Sequence, residues 1–380
     1  MAFSIGVLKE TAEDEHRVSM TPEVTGRLVK KGFAVVVETG AGERAFSSDE
    51  EYVAAGATTG DRSAVLACDL LTCVQPPTAD EVKGMRRGSA LIGFLKPLDE
   101  PEGIRMLAEQ GVTSFSVELM PRITRAQAMD ALSAMGAIGG YRAVLIAAEM
   151  LPKFFPLLTT AAGTMRPAKV LVLGAGVAGL QAIATARRLG AVVSAYDVRP
   201  AVKEEVKSLG AKFVELELET EEALGEGGYA KALDEQKQER QVEMLIPHVA
   251  NSDVVITTAL IPGRAAPVLI LDEAVKQMAD GSVIIDMAAA NGGNCALTEA
   301  GKTVQKHGVN IFGPTNLPSG MSVHASQMYA RTLSAFIIEF AKEDQLSVDF
   351  DDEIIKGACV THDGKILNER VASALNVPSN

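Results

Sequence analysis

The chain has 380 residues, of which 47% are hydrophobic and 22% are charged, and its formal net charge is -13. This apolar content excludes a disordered chain, and the composition lacks the biases of collagen-like and coiled-coil proteins. At roughly 100 to 200 residues per domain, the length predicts two domains, each with its own core. The 49 acidic residues outnumber the 36 basic ones. Because binding to phosphate backbones depends on clustered Lys and Arg, this balance argues against a nucleic-acid partner.

The cysteines and the apolar segments bear on the compartment. The chain contains four cysteines: Cys68, Cys73, Cys295 and Cys359. They have no short regular spacing, which argues against a disulfide framework and a zinc site and predicts a reducing, cytoplasmic compartment. The apolar run at residues 3–8 is too short for a signal peptide and is expected to be a strand. The apolar window 137–151 is interrupted by Arg142 and Glu149, so no direct membrane insertion is expected.

The N-terminal region of the chain alternates short apolar runs with helical patterns. A helix is predicted from Thr21 to Lys31, because it begins with a capping residue, a proline in its first turn and an early acid, and ends before Gly32. Alternation of this kind predicts a parallel sheet with helices on both faces. Strands are predicted at residues 3–8, 33–38, 69–74, 89–95 and 112–117.

A second series of the same kind begins at Lys169. Strands are predicted near residues 169–173, 191–197, 212–216, 253–258, 282–287 and 309–312. Residues 122–151, between the two series, are rich in Ala and Met and lack the composition of a flexible linker, which predicts a rigid helical connection. A helix over residues 323–341 is predicted to return the chain to the first domain, where residues 354–366 would form a terminal hairpin.

These patterns predict an α/β protein with two Rossmann-like domains. The sheets are expected to be mainly parallel, and long helices are expected to join the domains with a cleft between them. The first domain is predicted to comprise residues 1–135 plus 322–380, and the second residues 136–321. The first domain is therefore expected to be discontinuous in sequence.

A glycine-rich turn is the sharpest local signal. Gly174, Gly176 and Gly179 follow an apolar strand and open a helix, and the next strand ends at Asp197. In this context the glycines permit a tight turn, a close approach to a pyrophosphate and close packing of helix on strand. The helix N-terminus adds partial positive charge. The pattern predicts a dinucleotide site, although such a turn can also serve only to close a βαβ unit.

The acid at the end of the following strand predicts which nucleotide is bound. Asp197 can accept hydrogen bonds from a ribose 2′-hydroxyl and would repel a 2′-phosphate, which favours NAD(H) over NADP(H). Arg199 lies two residues further on. An arginine there could instead accommodate a 2′-phosphate, so both nucleotides stay open, with NAD(H) favoured.

Other motifs narrow the chemistry. The five histidines are scattered without ligand spacing, so no metal site is expected. No nucleophile elbow, P-loop or HExxH motif occurs. The polar segment 217–241 contains Gly228 and Tyr229 and is either a lid over a ligand site or an exposed helix with a charged face.

Polar residues also stand at the predicted start of the connecting helix. Gln127, Asp130 and Ser133 recur every three residues, and Arg122 precedes them. A polar stripe of this kind can simply face solvent. Its place at the junction of two domains favours a ligand role, because ligands tend to bind in clefts between domains.

Several blocks of the sequence together resemble one family. They are residues 118–130, 139–143, 174–181, 227–230 and 257–263. The chain resembles the NAD(H)-binding component, domain I of the alpha subunit, of proton-translocating nicotinamide nucleotide transhydrogenases, which are relatives of alanine dehydrogenases. The resemblance runs through nearly the whole chain, and the first and last blocks are far more specific than the glycine turn.

The resemblance implies two groups of site residues. Beside the nicotinamide, with catalytic roles, it places Arg122, Gln127, Asp130 and Ser133, with Gln127 reaching toward a second nucleotide. In contact with NAD(H) it places, besides Arg122, Gln127, Asp130 and the glycine turn, Arg125, Val177, Asp197, Val198, Arg199, Gly228, Tyr229, Gln241, Ala259 and Leu260. Tyr229 corresponds to a position on the family's mobile loop.

An alanine dehydrogenase activity can be tested on the same residues. The arginine of that family matches Arg17, but its lysine, histidine and aspartate fall at Val74, Lys96 and Ala290. Reduction of an imino acid needs groups that bind a carboxylate and deliver a proton, so turnover of pyruvate or alanine is not expected. Hydride transfer between two nicotinamides needs no such proton donor. A non-catalytic NAD(H)-sensing module is the remaining alternative.

The resemblance also implies partners. NADP(H) would be held by a separate subunit, and membrane-spanning transhydrogenase subunits would couple hydride transfer to proton translocation. The chain would then lie peripherally at the cytoplasmic face of the membrane, as a homodimer and in a split-subunit form.

Overall fold

Two compact units make up the chain. The computed structural model describes residues 2–216, 235–261, 263–342 and 345–377. Unit 1 comprises Met1–Met135 and Ser319–Asn380, and unit 2 comprises Gly136–Pro318. Unit 1 is thus built from both ends of the chain. We propose that the two units are the domains of the protein.

Most strands belong to two sheets, one in each unit, and two form a separate hairpin. In chain order the strands are β1 (Ser4–Val7), β2 (Ala34–Glu38), β3 (Thr58–Gly60), β4 (Leu70–Thr72), β5 (Ala90–Gly93), β6 (Thr113–Ser116), β7 (Leu158–Thr160), β8 (Gly163–Met165), β9 (Lys169–Leu173), β10 (Val192–Tyr196), β11 (Lys212–Phe213), β12 (Val254–Thr257), β13 (Val283–Asp286), β14 (Thr303–Lys306), β15 (Val309–Phe312), β16 (Cys359–His362) and β17 (Lys365–Ile366).

Helices alternate with these strands through both units. In chain order they are α1 (Pro22–Lys30), α2 (Asp49–Ala54), α3 (Arg62–Leu66), α4 (Ala79–Gly84), α5 (Pro101–Gln110), α6 (Ala131–Met150), α7 (Val177–Arg188), α8 (Lys203–Ser208), α9 (Glu235–Ala250), α10 (Asp272–Lys276), α11 (Ser322–Phe340), α12 (Glu353–Ala358) and α13 (Glu369–Ala374). Short 3₁₀ helices add further turns, and the one over Thr124–Met129 directly precedes α6.

The sheet of unit 1 has eight strands in the order β17-β16-β6-β5-β4-β1-β2-β3. Strands β1 to β6 are parallel to their neighbours, whereas β16 is antiparallel to both β6 and β17. The C-terminal region of the chain therefore completes a sheet that the N-terminal region begins. This pairing gives the discontinuous unit its single core.

The sheet of unit 2 has seven strands in the order β11-β10-β9-β12-β13-β15-β14. Only β14 is antiparallel to its neighbour. On the central strand β9, Val170 and Val172 belong to one buried cluster, and Leu171 and Leu173 belong to another. Burial on both faces explains why this strand is a continuous apolar run, as parallel strands covered by helices are.

The α/β class with mainly parallel sheets is confirmed, and the hairpin prediction needs a correction. Residues 354–358 were predicted to begin the hairpin but lie in α12, and only residues 359–366 form it. The turn contains Asp363 and Gly364 with φ of 50° and 76°. Two consecutive left-handed residues are what a tight two-residue hairpin turn requires.

Helix α6 is the most apolar helix among the described residues. By length and composition alone it could cross a membrane, and 44% of its apolar window is buried. Ala143, Val144 and Ala147 lie in the core of unit 2. A Cβ added at Gly140 would lie 2.0 Å from the carbonyl oxygen of Ala178. Glycine at this position lets α6 contact the first turn of α7 directly.

Candidate functional site

The glycine turn joins β9 to α7 as predicted for a βαβ unit. Gly174 has a φ of 97°, which strongly favours glycine, and its N–H donates to the carbonyl oxygen of Tyr196 at 2.8 Å. A Cβ at Gly179 would lie 1.9 Å from the carbonyl oxygen of Gly174. A Cβ at Gly176 would meet no heavy atom within 4 Å. The turn is therefore tight at Gly174 and Gly179 and opens outward at Gly176.

The first turn of α7 begins at this opening. Gly176 caps the helix, and the first intrahelical bond runs from the N–H of Leu180 to the Gly176 carbonyl at 2.8 Å. The first N–H groups of a helix have no partner within it and carry partial positive charge. Val177, at the first position, is 44% exposed. Together these features make an anion-binding position.

Asp197 follows β10 and is bound on both carboxylate oxygens. Its Oδ2 accepts from the N–H of Ala175 at 2.7 Å, which ties the acid to the glycine turn. Arg199 donates from Nε to Oδ1 and from Nη2 to Oδ2, each at 2.9 Å, and its backbone N–H also donates to Oδ1 at 2.9 Å. Hydrogen bonding to Asp197 raises the pKa of the Arg199 guanidinium above its ordinary value.

The close pairing of these two side chains was not expected from the sequence. A carboxylate has about four acceptor positions, and four donors surround that of Asp197. A ribose hydroxyl would have to share or displace a bond from Arg199. The arginine in turn reaches a 2′-phosphate only by leaving Asp197.

A cavity of about 160 Å³ lies at the ends of β10 and β11. Asp197 and Val198 form part of its wall, so the predicted ribose position and the cavity adjoin. Its lining residues are Tyr196, Asp197, Val198, Pro200, Lys203, Phe213, Val214, Glu215 and Leu216. A cavity with mixed polar and apolar walls beside a carboxylate suits a nucleoside.

Gln241 lies behind this cavity rather than on its wall. It is buried, and its Nε2 donates to the hydroxyl oxygen of Tyr196 at 3.1 Å. Burial raises the pKa of Tyr196 to about 12, so the phenol stays protonated at neutral pH. The structure thus connects Gln241 to the cavity through the Tyr196 side chain.

The segment after β12 lies directly against the glycine turn. The Oγ1 of Thr258 donates to the carbonyl oxygen of Gly174 at 3.0 Å. Ala259 and Leu260 follow, and Leu260 is 40% exposed. The turn and the predicted residues Ala259 and Leu260 are therefore neighbours. Gly228 and Tyr229, which were predicted for the same site, lie outside the described residues.

Two buried polar residues that support this segment were missed. Asn294 bonds to both backbone polar groups of Ala259, and Asp286 accepts from the hydroxyl of Thr257 at 2.8 Å. Both follow or end β13, beside a Gly292-Gly293 pair with φ of 99° and 83°. The sequence signal was a pair of polar residues flanking consecutive glycines at the end of an apolar strand.

The predicted residues near the start of α6 lie in unit 1 and do not form one helical face. Gln127 is in the 3₁₀ helix, and Asp130 separates that helix from α6. Asp130 accepts from the backbone N–H of Ser133 at 2.8 Å and from its hydroxyl at 2.5 Å. The side chain of Asp130 therefore caps α6, which is why the polar stripe is interrupted.

The two arginines of this segment are both exposed, in different surroundings. Arg125 donates to Asp352 at 2.5 Å and lies 3.4 Å from Glu339. These bonds occupy its guanidinium within unit 1, an arrangement that the sequence did not suggest. Arg122 is exposed, as is Gln127.

The alanine dehydrogenase positions of unit 1 form a buried polar cluster. Arg17 donates from Nε and Nη2 to Glu15 at 2.7 and 2.6 Å, and Gln75 donates to the same carboxylate at 2.7 Å. Burial opposes the ionised form of Glu15, but the bonds from Arg17 outweigh it and lower its pKa. Glu10, which accepts from two backbone N–H groups, has its pKa raised to about 7 by burial.

This cluster neutralises the one retained cation of that site. The side chains of Arg17 and Glu15 are 5% and 0% exposed. Val74 is buried, and Lys96 pairs with Glu100 at 3.1 Å. Across the described stretches of the chain, no group of three or more His, Cys, Asp or Glu side chains is arranged to hold a metal ion.

Family models cover most of the chain. The model described as alanine dehydrogenase/PNT, N-terminal domain matches residues 6–139. The model described as alanine dehydrogenase/PNT, C-terminal domain matches residues 143–369. Both halves of the sequence thus match one family, in the order in which its domains are described.

Known proteins agree with this match. The first segment of the split NAD(P) transhydrogenase subunit alpha of Rhodospirillum rubrum is 46% identical over 376 residues, which cover 96% of this chain and 98% of the relative. The crystal structure of transhydrogenase from Sinorhizobium meliloti gives a TM-score of 0.85 at 41% identity, covering 96% of this chain and 99% of that one. An L-alanine dehydrogenase structure gives 0.83 at 25% identity, covering 98% and 99%. The predicted resemblance is confirmed, and the chain belongs to the alanine dehydrogenase/PNT family.

Proposed function

We propose that this chain is the NAD(H)-binding component of a proton-translocating transhydrogenase. In this proposal it passes hydride directly between its own nucleotide and NADP(H) held by a partner subunit. The observation that carries the proposal is the grouping of the glycine turn, Asp197 and the adjoining cavity in unit 2. The 46% identity to a transhydrogenase alpha subunit supports it.

The strand order gives the direction in which the dinucleotide would lie. The cavity adjoins β10 and β11, the glycine turn follows β9, and Ala259 follows β12 on the other side of β9. Adenosine would occupy the cavity with its ribose at Asp197, and the pyrophosphate would bind at the start of α7. The nicotinamide half would then extend toward Ala259 and Leu260.

The chemistry asks the protein to orient groups rather than to move protons. NADH supplies a hydride from its nicotinamide ring when it is bound. Transfer between two nicotinamides requires the reacting carbons to approach to roughly 3 to 3.5 Å, and no acid takes part. The pairing of Arg17 with Glu15 and the replacement of the alanine dehydrogenase lysine by Val74 fit such a reaction.

For unit 1 we propose an orienting role. Arg122, Gln127 and Asp130 would fix the nicotinamide and its carboxamide, and Gln127 would reach toward the second nucleotide. Ser133 would hold the carboxylate of Asp130 through its 2.5 Å bond. Arg125, Gly228 and Tyr229 stay predicted contributors to the NAD(H) site on the basis of the family resemblance.

Two assays separate this proposal from its alternatives. We expect NADH fluorescence to change saturably on titration with the chain, and NADH to stay unoxidised when pyruvate and ammonium are added. Steady oxidation of NADH in that mixture would instead establish an alanine dehydrogenase. Binding of NADH without any hydride transfer to a partner's NADP⁺ would leave the sensing module as the function.

We also propose that the chain forms a homodimer through the β7–β8 hairpin. All six residues of this separate two-stranded sheet are exposed, and an isolated hairpin is marginally stable in water. Leu158 and Met165 are cross-strand partners and are 36% and 48% exposed. Exposed apolar pairs of this kind mark interaction surfaces.

The dimer proposal predicts a specific dissociation. Leu158→Glu combined with Met165→Glu is expected to give a monomer, because two carboxylates cannot be buried in an apolar interface without a large cost. Val53→Glu, on an exposed helix of unit 1 and 54% exposed, is the matched control and should leave the dimer intact. Sedimentation equilibrium measures both masses. A dimer that survives the double substitution would place the interface elsewhere.

The partners and the location follow from the same family proposal. We propose that membrane-spanning and NADP(H)-binding subunits complete the assembly and that this chain is attached peripherally at the cytoplasmic face of the membrane. The name of the Rhodospirillum rubrum relative, which describes it as one portion of an alpha subunit, supports an assembly of several subunits.

A further inference from the structure

The segment that follows β12 is held from behind by one buried amide. Asn294 is fully buried, and its Oδ1 accepts from the N–H of Ala259 at 3.1 Å. Its Nδ2 donates to the carbonyl oxygens of Ala259 and Pro267 at 2.9 and 2.7 Å. The side chain thus satisfies both backbone polar groups of a single residue, as a paired strand would.

A second anchor holds the residue that begins this segment. Asp286 is fully buried and accepts from the hydroxyl of Thr257 at 2.8 Å. It also accepts from the N–H of Cys295 at 3.0 Å and from the hydroxyl of Thr298 at 2.7 Å. The loop that carries Asn294 is therefore itself fixed to β13. Because the loop is fixed, Asn294 can impose a position on Ala259.

The clamped segment touches the glycine turn on its other side. Thr258 donates through Oγ1 to the carbonyl oxygen of Gly174. A Cβ at Gly174 would lie 2.5 Å from this Oγ1 and 3.2 Å from the nitrogen of Ala259. The chain of contacts runs from Asn294 through Ala259 and Thr258 to the turn, with no room for the segment to shift toward it.

We infer that Asn294 is a positioning residue for the nicotinamide half of the bound dinucleotide. The inference rests on the proposed function, because it requires NAD(H) to lie across β10, β9 and β12. Asn294 is on the β12 side of the turn, whereas Asp197 and the cavity are on the β10 side. Its loss should therefore affect the nicotinamide half and leave the adenosine and pyrophosphate positions intact.

The test compares NADH with ADP, which fills only the adenosine and pyrophosphate positions. In Asn294→Asp, which keeps the size but replaces two donated hydrogen bonds by repulsion, we expect the Kd for NADH to rise by about tenfold. The Kd for ADP should stay within about twofold. Asn294→Ser retains one donor and should give a smaller change in the same direction. Cys295→Ala removes the next buried side chain without touching Ala259, and it should leave the ratio of the two Kd values unchanged.

The outcomes are distinct. Equal weakening of NADH and ADP in both Asn294 variants would show general loosening and would overturn the positioning role. Unchanged NADH affinity would overturn it as well. Calorimetric titration of the wild-type chain checks the underlying proposal separately: if it binds ADP and not NADH, the proposed function itself fails.

Discussion

Gly176→Ala is expected to weaken NADH binding by at least about tenfold while leaving the thermal unfolding midpoint unchanged. The position has a φ of -75°, which any residue adopts, and an added Cβ would meet no protein atom within 4 Å. The methyl group would instead occupy the space in which the pyrophosphate approaches the backbone. A loss of affinity without a loss of stability is the signature of a ligand position.

Gly179→Ala provides the matched comparison. There the Cβ would lie 1.9 Å from a backbone oxygen of the same turn, so the helix or the strand must shift. Both the unfolding midpoint and the NADH affinity should fall. Calorimetric titration and thermal unfolding of the two variants side by side measure the contrast. Wild-type affinity in Gly176→Ala would mean that the pyrophosphate does not bind at this turn.

The second large effect concerns the choice between NADH and NADPH. Asp197→Asn keeps an acceptor for the N–H of Ala175 but removes the charge that holds Arg199. The ribose hydroxyls lose a charged acceptor, and a 2′-phosphate gains an unopposed guanidinium. We expect NADH to bind about tenfold more weakly and NADPH at least about tenfold more tightly than to the wild-type chain.

A double substitution identifies the cause. In Asp197→Asn combined with Arg199→Ala, the gain for NADPH should disappear while the loss for NADH remains. Fluorescence titration with both nucleotides measures all four affinities. If NADPH gains nothing in the single variant, Arg199 does not select against or for the 2′-phosphate, and the cavity beside Asp197 is not the adenosine position.

Regular hydrophobic patterns made much of the fold predictable. Strand β9 was predicted with its observed bounds, because a buried parallel strand followed by glycines has few alternatives. The roles of Gly174 and Gly179 also followed from sequence, since steric demands at a tight turn are local. The hairpin β7–β8 was not predicted, because its exposed residues carry no alternation of apolar and polar positions.

Contacts between distant residues set the limit for the site. Asn294 and Ala259 are 35 positions apart, and nothing in either segment alone predicts that they bond. Arg199 and Asp197 are close in sequence, but their pairing depends on side-chain geometry that composition does not encode. The capping of α6 by Asp130 is a local feature that the three-residue spacing concealed.

Direct hydride transfer is the central claim, and an isotope experiment tests it most directly. The chain, loaded with NADH deuterated at the transferring position of C4, would be mixed in a stopped-flow device with an NADP⁺-loaded partner subunit from a transhydrogenase. We predict rapid single-turnover formation of NADPH that carries the deuterium, and loss of this transfer in Gln127→Asn with NADH affinity retained. Absence of transfer by the wild-type chain, or deuterium released to water, would contradict the account.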